Sequence, residues 1–182
     1  MKTGRVAVGL LMVILGVATQ ATAAPKLGTG TRQLGLSGSL SDTDDGMTLN
    51  IDATAGYFVM QNLEVGARLF WHYDSPGNQT IADFAVGVFG EYHFIVPTLL
   101  VVPYAGASVS PGYWSGGTAR AGDSGFYLEL RGWGGVKYFL VEALSVGCQA
   151  EINLATDDVY NRGGRDGDMA DWRLMLRTDF YF

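Results

Sequence analysis

The sequence predicts an all-β protein: an eight-stranded antiparallel up-and-down transmembrane β-barrel preceded by a cleaved signal peptide. Three observations predict it: an N-terminal export signal, eight segments in which apolar and polar side chains alternate, and a last segment that ends on aromatic residues. Successive side chains of a strand point to opposite faces, so alternation gives each strand one apolar and one polar face. Abundant glycine, 26 of 182 residues, and many aromatic residues suit such a chain.

The N-terminus has the three parts of a secretory signal peptide. Lys2 and Arg5 precede an uncharged apolar run over 6–17, and Ala21-Thr22-Ala23 forms a small-x-small cleavage site. The apolar run is too short for a transmembrane helix, which needs about 20 residues. We therefore assign residues 1–23 to a signal peptide and residues 24–182 to one barrel domain. The only cysteine, Cys148, is expected to be a small apolar strand residue without a disulfide.

Eight alternating segments follow in order, at about 31–41, 47–59, 63–73, 81–94, 99–110, 126–138, 143–156 and 170–182. The connections near 60–62, 94–98 and 140–143 are short. The others, at 42–46, 74–80, 111–124 and 157–169, are rich in turn residues, and two of them are long. Short turns on one side and longer loops on the other are typical of membrane barrels, with the short turns in the periplasm.

The last segment is the clearest strand. One face carries the residues Trp172, Leu174, Leu176, Thr178, Phe180 and Phe182, and the other carries Arg173, Met175, Arg177, Asp179 and Tyr181. This length suits a tilted bilayer crossing, and the terminal aromatic residues suit an interfacial girdle.

A short internal sequence repeat supports the hairpin as the repeating unit. Residues 57–66 and 138–147 both read Tyr-Phe, an aliphatic residue, three variable residues, Leu, any residue, and Val-Gly. Each copy crosses a predicted short turn.

These segments and the C-terminal strand ending in Phe resemble the small outer-membrane β-barrel family that includes OmpA- and OmpX-like domains. The resemblance spans essentially the whole mature chain. It implies a location in the cell outer membrane, contact with outer-membrane lipids and lipopolysaccharide, and a monomeric state. It also implies that the outer-membrane assembly machinery recognises Phe180 and Phe182 as an assembly signal, and that the role is adhesion or envelope integrity.

Charge predicts which face meets lipid. The polar faces share a set of ionisable side chains: Glu64, Arg68, Glu91, Glu129, Arg131, Lys137, Glu151, Arg173 and Arg177. A charge on the lipid side costs about 2–4 kcal/mol near the midplane, so a membrane barrel points these groups inward, whereas a soluble barrel would point them into water. Side chains fill an eight-stranded barrel. We therefore expect a closed, salt-bridged lumen, with a narrow gated pore as the alternative.

Other functional classes find less support. Without Lys2 and Arg5 the chain has 10 basic and 18 acidic side chains, a net charge of −8, which argues against nucleic acid as a partner. No catalytic, cofactor-binding or metal-binding residues are expected. The lipid-A-modifying members of the resembled family use His and Ser at the lipid-facing surface, whereas His72 and His93 fall on the polar faces here. That enzyme activity remains the second alternative.

The loops offer two further possibilities. The acidic loop at 157–169 carries carboxylates that could bind a hard cation such as calcium. The loops at 111–124 and 157–169, which include Tyr113, Trp114 and Tyr160, could contact a surface ligand, because function in a barrel usually resides in its loops.

Overall fold

The computed structural model describes residues 27–43, 46–76, 81–96, 99–116, 124–156 and 170–182. The predicted signal peptide and the acidic loop at 157–169, with its possible cation site, lie outside the described residues. Eight strands follow in chain order: β1 (Arg32–Thr43), β2 (Gly46–Met60), β3 (Leu63–Pro76), β4 (Ile81–His93), β5 (Val101–Gly116), β6 (Ser124–Val141), β7 (Leu144–Ala155) and β8 (Ala170–Tyr181). In this part of the chain we find no helix with the length and apolar character of a membrane span.

The strands form a closed barrel in which each pairs antiparallel with its neighbours in the sequence. Closure comes from β1 and β8, which pair from Gln33 opposite Tyr181 to Gly38 opposite Leu176. Closure leaves no strand edge with unpaired backbone groups, which is the condition for a sheet to cross a bilayer.

The polar and apolar faces of the strands point in the predicted directions, inward and outward respectively. In β8, Arg173, Arg177 and Asp179 are buried in the lumen, whereas Leu174 and Phe180 are exposed on the outer wall. The other strands follow the same rule, so the outside of the barrel is apolar and the inside is polar. This confirms the predicted fold class.

The two ends of the barrel differ. We call the end with the connections 61–62, 94–100 and 142–143 the turn end; both barrel termini lie there too. The opposite end is the loop end. There the predicted loop at 111–124 is wrong for 111–116 and 124: β5 continues to Gly116 and β6 starts at Ser124, paired from Pro111 opposite Leu128 to Ser115 opposite Ser124. Residues 117–123 lie outside the described residues. Tyr113 and Trp114 are therefore strand residues. The Gly- and Pro-rich composition suggested a loop, but Tyr113 packs against Phe126 across the strands, with ring centroids 5.1 Å apart.

Inward-facing glycines make room for the large side chains of the lumen. A Cβ on Gly106 would lie 2.5 Å from the Trp133 indole, and one on Gly112 would lie 2.3 Å from the Tyr127 ring. The interior of an eight-stranded barrel is only wide enough for its side chains. Trp133 and Tyr127 therefore each require a glycine at the paired position of the neighbouring strand β5.

Candidate functional site

The lumen near the turn end holds paired charges that we call the lower cluster: Glu64, Glu91, Lys137, Arg177 and Asp179. Lys137 Nζ lies 2.6 Å from Glu91 Oε1 and 3.1 Å from Asp179 Oδ2. Arg177 contacts the same two carboxylates, at 2.6 Å to Glu91 Oε2 and 2.7 Å to Asp179 Oδ1. All five side chains are buried. Buried charges are tolerated only when paired and hydrogen-bonded, so each group here depends on its partners.

Further towards the loop end lies the upper cluster: Asp52, Arg68, Glu129, Arg131 and Glu151. Arg68 pairs with Asp52 and with Glu151, at 3.0 Å to Glu151 Oε1. Arg131 lies 2.6 Å from Glu129 and 3.2 Å from both Asp52 and Glu151. These five side chains are also buried. The upper cluster therefore joins strands β2, β3, β6 and β7 across the lumen.

Gln149 connects the two clusters. Its Oε1 accepts hydrogen bonds from Tyr104 Oη at 2.9 Å and Arg177 Nη1 at 3.4 Å, and its Nε2 donates to Glu151 at 2.5 Å. Trp133 adds a second link, because its indole N–H donates to Glu91 at 2.7 Å while Arg68 lies over its ring at 4.8 Å. The polar interior is thus a continuous network along the lumen.

The structure places all nine sequence-predicted network residues inside the barrel. Eight of them belong to the two clusters. The ninth, Arg173, lies closer to the loop end, where its Nε is 2.6 Å from Asp171 Oδ2 and its guanidinium is 4.9 Å from the Phe70 ring. The two residues of the predicted assembly signal, Phe180 and Phe182, are exposed on the outer wall at the turn end.

An apolar layer that we call the stopper closes the lumen below the lower cluster. It consists of Leu27, Phe58, Val102, Phe139 and Tyr181, all buried. Phe139 and Tyr181 rings lie 5.3 Å apart, and Phe58 and Tyr181 rings 6.3 Å apart. Water and ions would have to cross this layer to enter the lumen from the turn end.

Leu27 belongs to the stopper but not to a strand of the barrel wall. It precedes β1, and its carbonyl accepts a hydrogen bond from Asn62 N at 2.9 Å, in the turn between β2 and β3. Gly30 N also donates to Phe58 O at 2.9 Å, in a turn where Gly30 has φ +93°, a conformation that favours glycine. The N-terminal segment thus folds under the barrel mouth.

The stopper explains the internal sequence repeat at 57–66 and 138–147. In both copies the Tyr-Phe pair precedes a register shift, between Phe58 and Met60 in β2 and between Phe139 and Val141 in β6. The two phenylalanines point into the lumen and belong to the stopper. The repeat therefore encodes a bulged hairpin that delivers an aromatic ring to the barrel mouth.

Both histidines lie inside the lumen. His72 Nδ1 is 2.8 Å from Asn50 Oδ1, and His93 Nε2 is 3.2 Å from Glu64 and 3.3 Å from Glu91. Glu64, Glu91 and His93 bring three ligand atoms within 4.8 Å of one another, close enough for a metal ion. However, Lys137 and Arg177 already neutralise Glu91, and Glu64 contacts His93.

The outer wall carries aromatic residues towards both ends. Trp71, Phe84, Tyr113 and Phe126 pair side by side across four strands near the loop end. Tyr92 lies eight residues after Phe84 along β4, near the turn end. Eight residues of a tilted strand cross about 20 Å, somewhat less than the apolar band of about 25 Å between the girdles of a membrane barrel.

Sequence reasoning missed the stopper and the connecting residues. Phe58, Phe139 and Tyr181 stand on otherwise polar faces at the turn end, and this was the available signal for an apolar layer. Nothing in the sequence marks Leu27, which precedes the first alternating segment. Gln149 looks in the sequence like any residue of a polar face, because two of its three partners, Tyr104 and Arg177, lie on other strands.

No family model and no curated protein matches the sequence, but solved structures match the fold. The N-terminal β-barrel domain of Pseudomonas aeruginosa OprF is 14% identical, with a TM-score of 0.61, covering 85% of this chain and 99% of that one. Neisserial surface protein A, NspA, is 14% identical, with a TM-score of 0.60 and coverages of 84% and 95%. Ail, the attachment invasion locus protein of Yersinia pestis, is 11% identical, with a TM-score of 0.52 and coverages of 85% and 99%. The chain thus has the fold of the small eight-stranded outer-membrane β-barrels.

Proposed function

We propose that this protein is a closed outer-membrane barrel with a structural or surface-interaction role, in envelope integrity or adhesion. The observation that carries the proposal is the filled lumen, in which two ionic clusters and a stopper occupy the interior along its length. Such an interior stabilises a barrel and leaves the outside to interact with lipid and with surface partners. The outer-membrane location rests on the fold and on the apolar outer wall with its two aromatic girdles.

The interaction surfaces follow from this arrangement. The outer wall would contact outer-membrane lipids, and the loop end would contact lipopolysaccharide and any surface ligand. The strands β5 and β6 continue beyond the girdle residues Tyr113 and Phe126 at that end. Two similar structures are, by name, a surface protein and an attachment invasion locus protein, and we extend a surface role to this chain on that likeness. Phe180 and Phe182 remain the proposed assembly signal.

Two experiments test the proposal. The first compares gel mobility of the mature protein in detergent before and after boiling, in an outer-membrane fraction. A folded form that changes mobility only on boiling supports a membrane barrel, whereas a soluble periplasmic protein without a shift refutes it. The second measures conductance of the purified protein in a planar bilayer. The closed lumen predicts no steady current, and a large steady conductance would favour the alternative of a small pore.

A catalytic role receives no support from the histidines. A lipid-modifying enzyme of this fold would need its reactive groups on the lipid-facing wall, and His72 and His93 are buried in the lumen against Asn50, Glu64 and Glu91. We therefore propose no enzymatic activity. Release of acyl chains from lipid A by the purified protein would contradict this.

A further inference from the structure

The three connections at the turn end are not alike. Gln61 and Asn62 join β2 to β3, and Glu142 and Ala143 join β6 to β7, so both of these turns are short and carry polar residues. The connection from β4 to β5 spans 94–100 and is longer. Its described residues are all apolar and exposed, a group that we call the β4–β5 tip: Phe94, Ile95, Val96, Leu99 and Leu100.

Backbone hydrogen bonds hold the described residues of the β4–β5 tip. Phe94 N donates to Pro103 O at 2.8 Å, which continues the pairing of the two strands past His93. Leu99 N donates to Val96 O at 2.9 Å. The five apolar side chains are exposed, and Ile95 among them also lines a groove at the barrel mouth with Leu27 and Gln61.

The tip continues the apolar outer wall. Phe94 packs edge-on against Tyr92, with ring centroids 5.0 Å apart and an interplanar angle of 69°, and Tyr92 belongs to the aromatic residues of the turn end. No charged side chain occurs between Glu91 and Arg120 in the sequence. A contiguous exposed apolar surface of this kind marks a site of contact with a membrane or another protein.

We infer that the β4–β5 tip inserts into the headgroup and acyl boundary of the adjacent membrane leaflet, and thus anchors one flank of the barrel in lipid. The inference rests on the proposed membrane location and deepens it. Lipid is favoured over a protein partner because the tip is continuous with the lipid-facing wall and offers no charge for specific docking. The two polar turns would remain in water, so the barrel is anchored asymmetrically.

Fluorescence quenching tests the inference. A single cysteine is placed at the tip in L99C, at the polar β6–β7 turn in E142C and on the wall in V88C, each with the exposed Cys148 replaced as C148A. Each full-length mature variant carries an environment-sensitive fluorophore and is reconstituted in phosphatidylcholine vesicles with or without brominated acyl chains. Heat-modifiable gel mobility shows which variants have folded.

We expect brominated lipid to quench the probes at positions 88 and 99 and to leave the probe at position 142 bright and accessible to aqueous iodide. Quenching at 88 but not at 99 would overturn the inference alone, and would leave the tip in water, open to a protein partner. Absence of quenching at 88 would overturn the proposed membrane location and the inference with it. A second tip variant, L100C, repeats the measurement if L99C does not fold.

Discussion

Neutralising Glu91 is the sharpest test of the closed lumen. Glu91 is fully buried and contacts two cations at 2.6 Å, Lys137 and Arg177, together with the Trp133 indole at 2.7 Å. Glu91→Gln keeps the volume but removes the charge, so Lys137 and Arg177 would share the carboxylate of Asp179. Removing one partner of a buried ion pair costs about 3–5 kcal/mol. Since Asp179 still neutralises one positive charge, we expect a loss near the lower limit, about 3 kcal/mol.

The assay is urea-induced unfolding of the folded protein in detergent micelles, followed by tryptophan fluorescence. The matched control is Glu142→Gln, at an exposed turn, where the free energy of unfolding should change by no more than about 0.5 kcal/mol. The double variant Glu91→Gln with Lys137→Met restores the charge balance and should recover part of the loss, which gives a coupling of about 0.5–3 kcal/mol. If Glu91→Gln costs no more than the control, water solvates Lys137 and Arg177. The closed-lumen reasoning would then fail in favour of the pore.

Three other substitutions test separate parts of the structure. Leu27→Ala removes a buried stopper side chain, so it should destabilise the barrel by about 2 kcal/mol, the lower end for such a change because the site lies at the mouth; an unchanged urea midpoint would show that Leu27 does not fill the mouth. Val88→Arg places a charge midway between the girdles and should cost about 2–4 kcal/mol in a bilayer; a change within about 0.5 kcal/mol would favour a soluble barrel. Gly106→Val would push a side chain into the Trp133 ring and should cost about 1–3 kcal/mol, whereas Gly132→Ala, whose Cβ meets nothing within 4 Å, should be tolerated. Equal unfolding midpoints for these two glycine variants would contradict the steric argument.

Much of the architecture could be predicted from the sequence because it depends on local geometry. A strand sends alternate side chains to opposite faces. The positions of Arg173, Arg177 and Leu174 in β8 therefore predict the face on which each one lies. The lipid then decides which face is outside, since charges such as Arg177 cannot face hydrocarbon cheaply. The structure confirms the closed eight-stranded barrel that this alternation predicts.

The strand ends at the loop end were less predictable. Tyr113 and Trp114 stand among Gly, Pro and Ser residues, and this composition is typical of loops. Only the partner strand shows that β5 continues, because the Tyr113 ring packs on Phe126 of β6. The contact between strands therefore favours a strand here, although the local composition is typical of a loop.

The strands, the direction of their faces and the polar character of most of the lumen can be derived from the sequence, because they follow from the two-residue period and from the solvent on each side. Which charges meet inside the lumen depends on the assembled barrel. The height of each inner side chain depends on the stagger of all eight strands around the barrel. That stagger brings Lys137 of β6 against Glu91 of β4 and Asp179 of β8. It also places Phe58 and Phe139 where Leu27, from outside the wall, completes the stopper.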